Sequence, residues 1–255
     1  MSMIPKTIHY CWFGRNPLPE SAVKCIDSWR KFFPDYEIKE WNEDNFDVNS
    51  IPYTAEAYQA RKYAFVSDYA RFWILFHYGG VYFDTDVEVI KPMDDIIERG
   101  PFMGIEVECD PQLPYPMVAP GLGIAVEAGH EVYGKMIDYY SQVHFMGENG
   151  ELNHETVVPR TTRILIESGL QPHNEMQQVD GIWIYPKDYF NPLDSLTGRL
   201  HKTENTRSIH WYMASWQDAS SFRKWLSRLS HRLFGLRLHR MKEMLKAAKW
   251  LPRFL

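Results

Sequence analysis

Tyr78-Gly79-Gly80-Val81-Tyr82-Phe83-Asp84-Thr85-Asp86-Val87-Glu88-Val89 is the stretch whose reading decides the fold. A Gly-Gly break follows an apolar, aromatic run and precedes a short hydrophobic strand, Val81 to Phe83, that stops in two carboxylates one residue apart. In an open α/β sheet, ligands collect beyond the carboxyl ends of the strands. Asp84 and Asp86 therefore stand where a site is expected. Strand alternation predicts both side chains on one side, where they can serve one divalent cation. Oxygen ligands that leave room for water and phosphate oxygens suit Mg2+ or Mn2+. An Asp-x-Asp by itself fits a solvated turn equally well.

Upstream, Tyr63 to Tyr78 reads as a helix that is apolar except at Ser67, Asp68, Arg71 and His77. A helix this hydrophobic is buried on most of its surface, and a buried Asp and Arg need partners. Asp68 and Arg71 stand at i and i+3, on one face, so they can pair. They form either a structural ion pair or a pair that faces a bound ligand. Nearer the start, Ile4 to Gly14 reads as a strand, and Ala22, Val23, Ile26, Trp29 and Phe33 recur at helical spacing after Pro17-Leu18-Pro19-Glu20. Tyr36 to Trp41 alternates as a second strand. Strand, helix, strand is the opening unit of a nucleotide-binding α/β sheet.

Downstream, strands are expected at Val87–Ile90, Phe102–Val107 and Gly181–Pro186, and helices at Ile51–Arg61, His130–Phe145 and Thr161–Ser168. Cys109 to Gly123, interrupted by Pro111, Pro114, Pro116 and Pro120, reads as a long loop of the kind that contacts substrate. Gly121-Leu122-Gly123 within it reads as a turn. A chain of 255 residues, 45% hydrophobic and 15% aromatic, is long and apolar enough for a sizeable core. Cys11, Cys25 and Cys109 have neither disulfide-framework nor zinc spacing and read as thiols of a reducing compartment. Neither a secretory leader nor a membrane-spanning run is legible, so the expected address is the cytoplasm.

The arrangement Ser67-Asp68-x-x-Arg71, an aromatic helix, then Gly-Gly-x-Tyr-x-Asp-x-Asp resembles glycosyltransferase family 32, the DXD-motif sugar transferases. It is also similar to the glucosyltransferase domains of the large clostridial toxins. The likeness covers residues 4–90 and, more thinly, 180–216. It implies a GT-A fold over residues 1–218, a Mn2+ or Mg2+ requirement, a nucleotide-sugar donor (a UDP-sugar, with GDP-mannose as the alternative) and retention of anomeric configuration. By the same resemblance Asp68 and Arg71 hold donor hydroxyls and phosphate, Tyr82 lines the donor, and Asp84 and Asp86 bind the metal. The ending Ile209-His210…Ser215-Trp216 also matches. His210 is then a third metal ligand or a satisfied core imidazole, and Ser215 and Trp216 lie near the diphosphate or pack in the core. Trp12, in Ile8-His9-x-x-Trp12-x-Gly14, is a core residue or stacks on the donor base, a contact worth about 1–3 kcal/mol. No second carboxylate is marked as a nucleophile, so a same-face displacement assisted by the leaving phosphate is expected.

Residues 219–255 stand apart. They carry ten Lys or Arg and a single acid, Glu243, whereas the rest has 18 basic and 32 acidic residues. Phe222, Trp225, Leu226, Leu229 and Leu233 form one helical stripe, and Leu238, Met241, Met244, Leu245 and Ala248 another. This amphipathic helical tail either docks on the core or lies on anionic lipid, where each cation contributes about 1 kcal/mol. An acidic body argues against a general nucleic-acid partner and for a glycan or lipid-linked acceptor at the inner membrane face, in capsule or surface-polysaccharide synthesis. Two alternatives compete with a transferase: a non-catalytic sugar- or lipid-binding assembly factor, and a haloacid-dehalogenase-like phosphatase with Asp84 as nucleophile.

Overall fold

The computed structural model describes residues 4–195 and 197–213. Its first elements are β1 (Thr7–Cys11), α1 (Glu20–Phe32), β2 (Glu37–Trp41), α2 (Pro52–Gln59) and α3 (Tyr63–Tyr78). β3 (Gly80–Tyr82) and β4 (Val87–Val89) flank the Asp-x-Asp, followed by α4 (Asp94–Arg99) and β5 (Phe102–Val107). Next come β6 (Met117–Ala119), a 3-10 turn at Pro120–Leu122, β7 (Ile124–Val126), α5 (Glu131–Ser141) and α6 (Val157–Glu167). β8 (Gln177–Val179), β9 (Ile182–Tyr185), α7 (Lys187–Phe190) and β10 (Ser208–His210) end the described elements. Residues 4–192 and 202–213 belong to one compact unit. Residues 193–195 and 197–201 belong to a second, in which Leu193 and Leu200 form an antiparallel bridge.

Among the described residues, eight strands form a mixed sheet ordered β2-β1-β3-β7-β5-β9-β8, with β6 on β5. β2, β1 and β3 run parallel. β7 then reverses direction against β3 and β5, and β9 runs parallel to β5. The expected α/β architecture, a mixed sheet flanked by helices, is the observed one: a parallel half that leads into the Asp-x-Asp is joined to a mixed half. Alternation builds the two cores. Ile8, Tyr10, Val81, Phe83 and Phe102 face one side, and Cys11, Tyr82, Met103 and Ile105 the other. Apolar around nearly its whole circumference, α3 is covered by the sheet on one side and by α2 and α5 on others.

Two expectations are corrected beside prolines. The expected loop Cys109–Gly123 contains β6 and the 3-10 turn, both in the interior. Pro120 opens that turn, where its missing N–H costs nothing. The helix expected from Thr161 begins at Val157, because Pro159 falls in its first turn. The helix expected to reach Phe145 ends at Ser141.

The Gly-Gly break is required sterically. Gly79 and Gly80 have φ of 63° and 104°, and a Cβ on Gly80 would come within 2.6 Å of the Thr7 carbonyl. His9 clamps this corner: its Nε2 lies 3.0 Å from the Gly79 carbonyl, and its Nδ1 accepts from Trp41 Nε1 at 3.0 Å. These partners define the neutral Nε2–H tautomer. Burial, above all, pushes the His9 pKa down from 6.5 to about 4. Between those values the unfolded chain holds a proton that the folded one refuses, so His9 stabilises the fold above pH 6.5 and loses that contribution as pH falls toward 4. The expected difference in this contribution between about pH 7 and about pH 4.5 is roughly 2–3 kcal/mol. Urea unfolding of the protein and of His9→Gln at both pH values measures it. Equal pH dependence in the two proteins would refute the assignment.

Candidate functional site

Asp68 and Arg71 leave adjacent turns of α3 on one face and pair at 3.0 Å. Arg71 Nε also donates to the Ser67 carbonyl at 3.0 Å. The same guanidinium reaches past Asp68 to the Asp-x-Asp: Nη1 donates to Asp84 Oδ2 at 3.3 Å, and Nη2 lies 3.2 Å from Oδ1. The ion pair thus also supports Asp84. Arg71 exposes only 4% of its side chain, against 29% for Asp84, so in this conformation it acts through the carboxylate it holds. Tyr82, expected to line the donor, is buried at 1% exposure. It serves Asp84 from behind, donating its hydroxyl to Oδ1 at 3.0 Å, with Arg71 over its ring.

Burial pushes the Asp68 carboxyl up to about 6, with the charge of Asp84 adding and Arg71 and Arg160 opposing. A hydrogen bond from the Val157 N–H, at the start of α6, also favours its charged form. Arg160 is 1% exposed and lies over the rings of Tyr53, Tyr140 and Tyr139. Its place beside Asp68 had no local signal in the sequence.

Asp84 and Asp86 come together by a route different from strand alternation. β3 ends at Tyr82, and Asp84-Thr85-Asp86-Val87 forms a turn in which the Val87 N–H donates to the Asp84 carbonyl at 3.0 Å. The chain then enters β4, which pairs antiparallel with β10 in a separate ribbon, His210 opposite Val87. α1 fixes this ribbon: Trp29 Nε1 donates to the Val87 carbonyl at 2.8 Å, and the Val89 N–H to Ser28 Oγ at 2.9 Å. His210 Nε2 consequently lies 3.0 Å from Asp86 Oδ1. Ligand atoms of Asp84, Asp86 and His210 all lie within 4.8 Å of one another. Octahedral ligands at metal–oxygen distances near 2.1 Å stand roughly 3–4 Å apart, so this set of two oxygens and one imidazole nitrogen fits a Mg2+ or Mn2+ ion after small adjustments. Burial raises the Asp86 pKa, but His210 and the Met213 N–H outweigh it and hold the carboxyl below the usual range. Burial lowers the His210 pKa, but Asp86 outweighs it and draws the imidazole up.

Gly121, read from sequence as part of a simple turn, closes the site from β7's side. Its carbonyl accepts the Asp84 N–H at 3.3 Å, and a Cβ there would overlap Asp84 Oδ2 and stand 3.3 Å from Arg71 Nη1. Gly121→Ala is therefore expected to displace Asp84, lowering kcat/KM about 10- to 100-fold while Tm stays within a few degrees. Steady-state kinetics with thermal melts test this, and unchanged kinetics would remove Gly121 from the site. Trp12 follows β1, half-buried, with Nε1 donating to the Asn16 carbonyl at 2.7 Å and its ring against the α1-side core. Ser215, Trp216 and the segment 219–255 lie outside the described residues.

A family model described as a glycosyltransferase sugar-binding region containing the DXD motif matches residues 19–103. Inositol phosphoceramide mannosyltransferase 1 of Schizosaccharomyces pombe is 31% identical over 114 residues, 40% of this chain and 34% of that protein. The initiation-specific alpha-1,6-mannosyltransferase of Candida albicans is 30% identical over 129 residues, 43% of this chain and 34% of that protein. The chain thus matches about a third of the length of these curated relatives. Among solved structures, the PaToxG glycosyltransferase is similar, with a TM-score of 0.48 and 22% identity over 65% of this chain and 70% of that one.

Proposed function

We propose that this protein, whose residues 19–103 match a model of the DXD-containing glycosyltransferase sugar-binding region, transfers a sugar from a nucleotide-sugar to a glycan or lipid-linked acceptor, with retention of configuration and a divalent metal. The convergence of Asp84, Asp86 and His210 beside Arg71 carries this reading. A bound Mn2+ or Mg2+ supplies Lewis-acid neutralisation of the departing diphosphate. Asp84, Asp86 and His210 would hold the ion. Arg71 fixes Asp84 by its two-pronged contact and adds fixed positive charge beneath the site. Asp68, mostly ionised at neutral pH, orients Arg71 and faces the donor sugar. Tyr82 keeps Asp84 from rotating, and Trp12 offers its ring to the nucleotide base. Ser215 and Trp216, outside the described residues, are assigned to the diphosphate by the resemblance of the Ile209-His210…Ser215-Trp216 ending alone. A same-face displacement assisted by the leaving phosphate is proposed because, among the described residues, Asp68 and Asp84 are paired with Arg71 and Asp86 with His210. The phosphatase alternative loses ground because the Asp-x-Asp follows some eighty residues of organised α/β chain instead of opening the domain.

The donor panel should set UDP-hexoses beside GDP-mannose, the latter because the relatives are named mannosyltransferases. Nucleoside-diphosphate release with Mn2+ and with chelator is the test. Metal-dependent turnover of one donor supports the transferase. No release from any donor, with no donor-induced rise in Tm, would move the assignment to a sugar- or lipid-binding assembly factor.

The Schizosaccharomyces pombe relative is named for mannose transfer to inositol phosphoceramide. For this chain a lipid-linked oligosaccharide of capsule or surface-polysaccharide synthesis is proposed, with residues 1–218 catalytic and 219–255 resting on anionic lipid at the cytoplasmic face. Among the described residues no helix is long and apolar enough to cross a membrane. Ten cations against one acid in the tail support a peripheral attachment.

A further inference from the structure

Three hydrogen bonds wrap residues 210–213 around Asp86. His210 Nε2 lies 3.0 Å from Oδ1, the Met213 N–H donates to Oδ2 at 2.9 Å, and the Trp211 N–H donates to the Asp86 carbonyl at 2.9 Å. The chain makes this wrap by an unusual step at Tyr212, whose φ is 50°. Bulky aromatic residues rarely adopt the left-handed region, and they persist there only where the surroundings impose it.

The surroundings here are specific. Asn191, 1% exposed after α7, donates from Nδ2 to the Tyr212 phenol oxygen at 2.6 Å and to the Glu106 carbonyl at 3.1 Å. Burial raises the Tyr212 pKa, and the nearby Glu106 carboxylate adds to that. The Tyr212 ring stands edge-on to His210, with centroids 4.3 Å apart and planes at 63°. One residue therefore touches both members of the Asp86–His210 pair, one through its ring and the other through the backbone turn that it makes.

We propose that Tyr212 is a positioning residue for the metal-binding pair, its phenol pinned to β5 through Asn191 so that a left-handed turn holds the Met213 N–H on Asp86 and the ring braces His210. The inference rests on the metal-dependent reading of the site. Groups that hold metal ligands in orientation commonly govern affinity nearly as strongly as the ligands themselves. Without the phenol anchor, the turn relaxes toward negative φ, Met213 swings away, and Asp86 loses the partner that fixes its rotamer.

The test uses the full-length protein. Mn2+ binding is titrated by electron paramagnetic resonance of the free ion, with the Mn2+-induced rise in Tm as a second readout. Tyr212→Phe keeps the ring and removes the anchor. Tyr212→Asn keeps a residue tolerant of the left-handed region and removes both ring and anchor. Both variants are expected to bind Mn2+ about tenfold more weakly or worse, with metal-free Tm close to the parent's. Parental Mn2+ affinity in Tyr212→Phe would overturn the inference. So would a loss of affinity that follows a matching fall in metal-free Tm, since the phenol would then be an ordinary part of the core. If the parent protein itself bound no Mn2+, the metal reading would fail before Tyr212 came into question.

Discussion

Asp86→Ala is expected to lower metal-dependent nucleoside-diphosphate release by roughly a thousandfold or more, an effect of several kcal/mol on the barrier. The size follows from how many contacts the carboxylate gathers. It accepts from the Met213 N–H, pairs with His210 and stands in the three-residue cluster with Asp84. Truncation removes one metal ligand and frees the other side of the site, since His210 and residues 211–213 lose what they close upon. Asp86→Asn separates the two effects. It keeps an acceptor for Met213 but lowers the charge offered to a cation. Activity at saturating Mn2+ is expected to recover in part for Asn and hardly at all for Ala. Chelator-insensitive turnover, or an Asp86→Ala protein with near-parental kcat, would remove metal from the mechanism. Isothermal titration with Mn2+ in the absence of donor gives the independent check.

Arg71→Met carries the second large effect, and it falls on stability as well as activity. The guanidinium is the shared counter-ion of Asp68 and Asp84. Removing one partner of a buried pair typically costs about 3–5 kcal/mol, because the remaining charge stays behind without compensation. For a chain of this size that is a fall in Tm of about 10 °C. Lysine is not a conservative replacement, since an ammonium cannot span both carboxylates in a fork. Pairing Arg71→Met with Asp68→Asn is expected to return much of the lost stability while donor turnover stays abolished, because Asp84 remains unsupported. Differential scanning calorimetry and single-turnover kinetics on the two variants decide the matter. If stability and turnover recovered together, Arg71 would be a counter-ion for Asp68 alone.

Much of the site was legible because its parts are local. An apolar sixteen-residue helix that carries Asp and Arg at i and i+3 must bury them on one face, and the pair is there at 3.0 Å. The Gly-Gly break is equally local, since left-handed backbone packed against the Thr7 carbonyl excludes a side chain. The short strand before the Asp-x-Asp reads from its apolar run after the Gly-Gly break. β7, by contrast, is three apolar residues after a proline turn, and β8 is Gln-Gln-Val. Neither has enough length for a period to show: β7 is a strand because β3 and β5 take up its backbone from either side, and β8 because β9 does from one.

The sequence by itself determined the α/β class, the buried Asp68–Arg71 pair and the approximate place of the carboxylates, because each depends on residues within one helix or strand of one another. Tertiary structure alone decided how these parts meet. His210 reaches Asp86 through the pairing of β10 with β4, strands more than a hundred residues apart. Gly121 meets Asp84, and Arg160 stands beside Asp68, across different elements. Tyr212 takes a backbone conformation that no propensity favours. Contacts of that range are selected by the free energy of the whole packed core, in which one strand register buries the apolar faces and satisfies the charges together. A local window of sequence contains neither quantity.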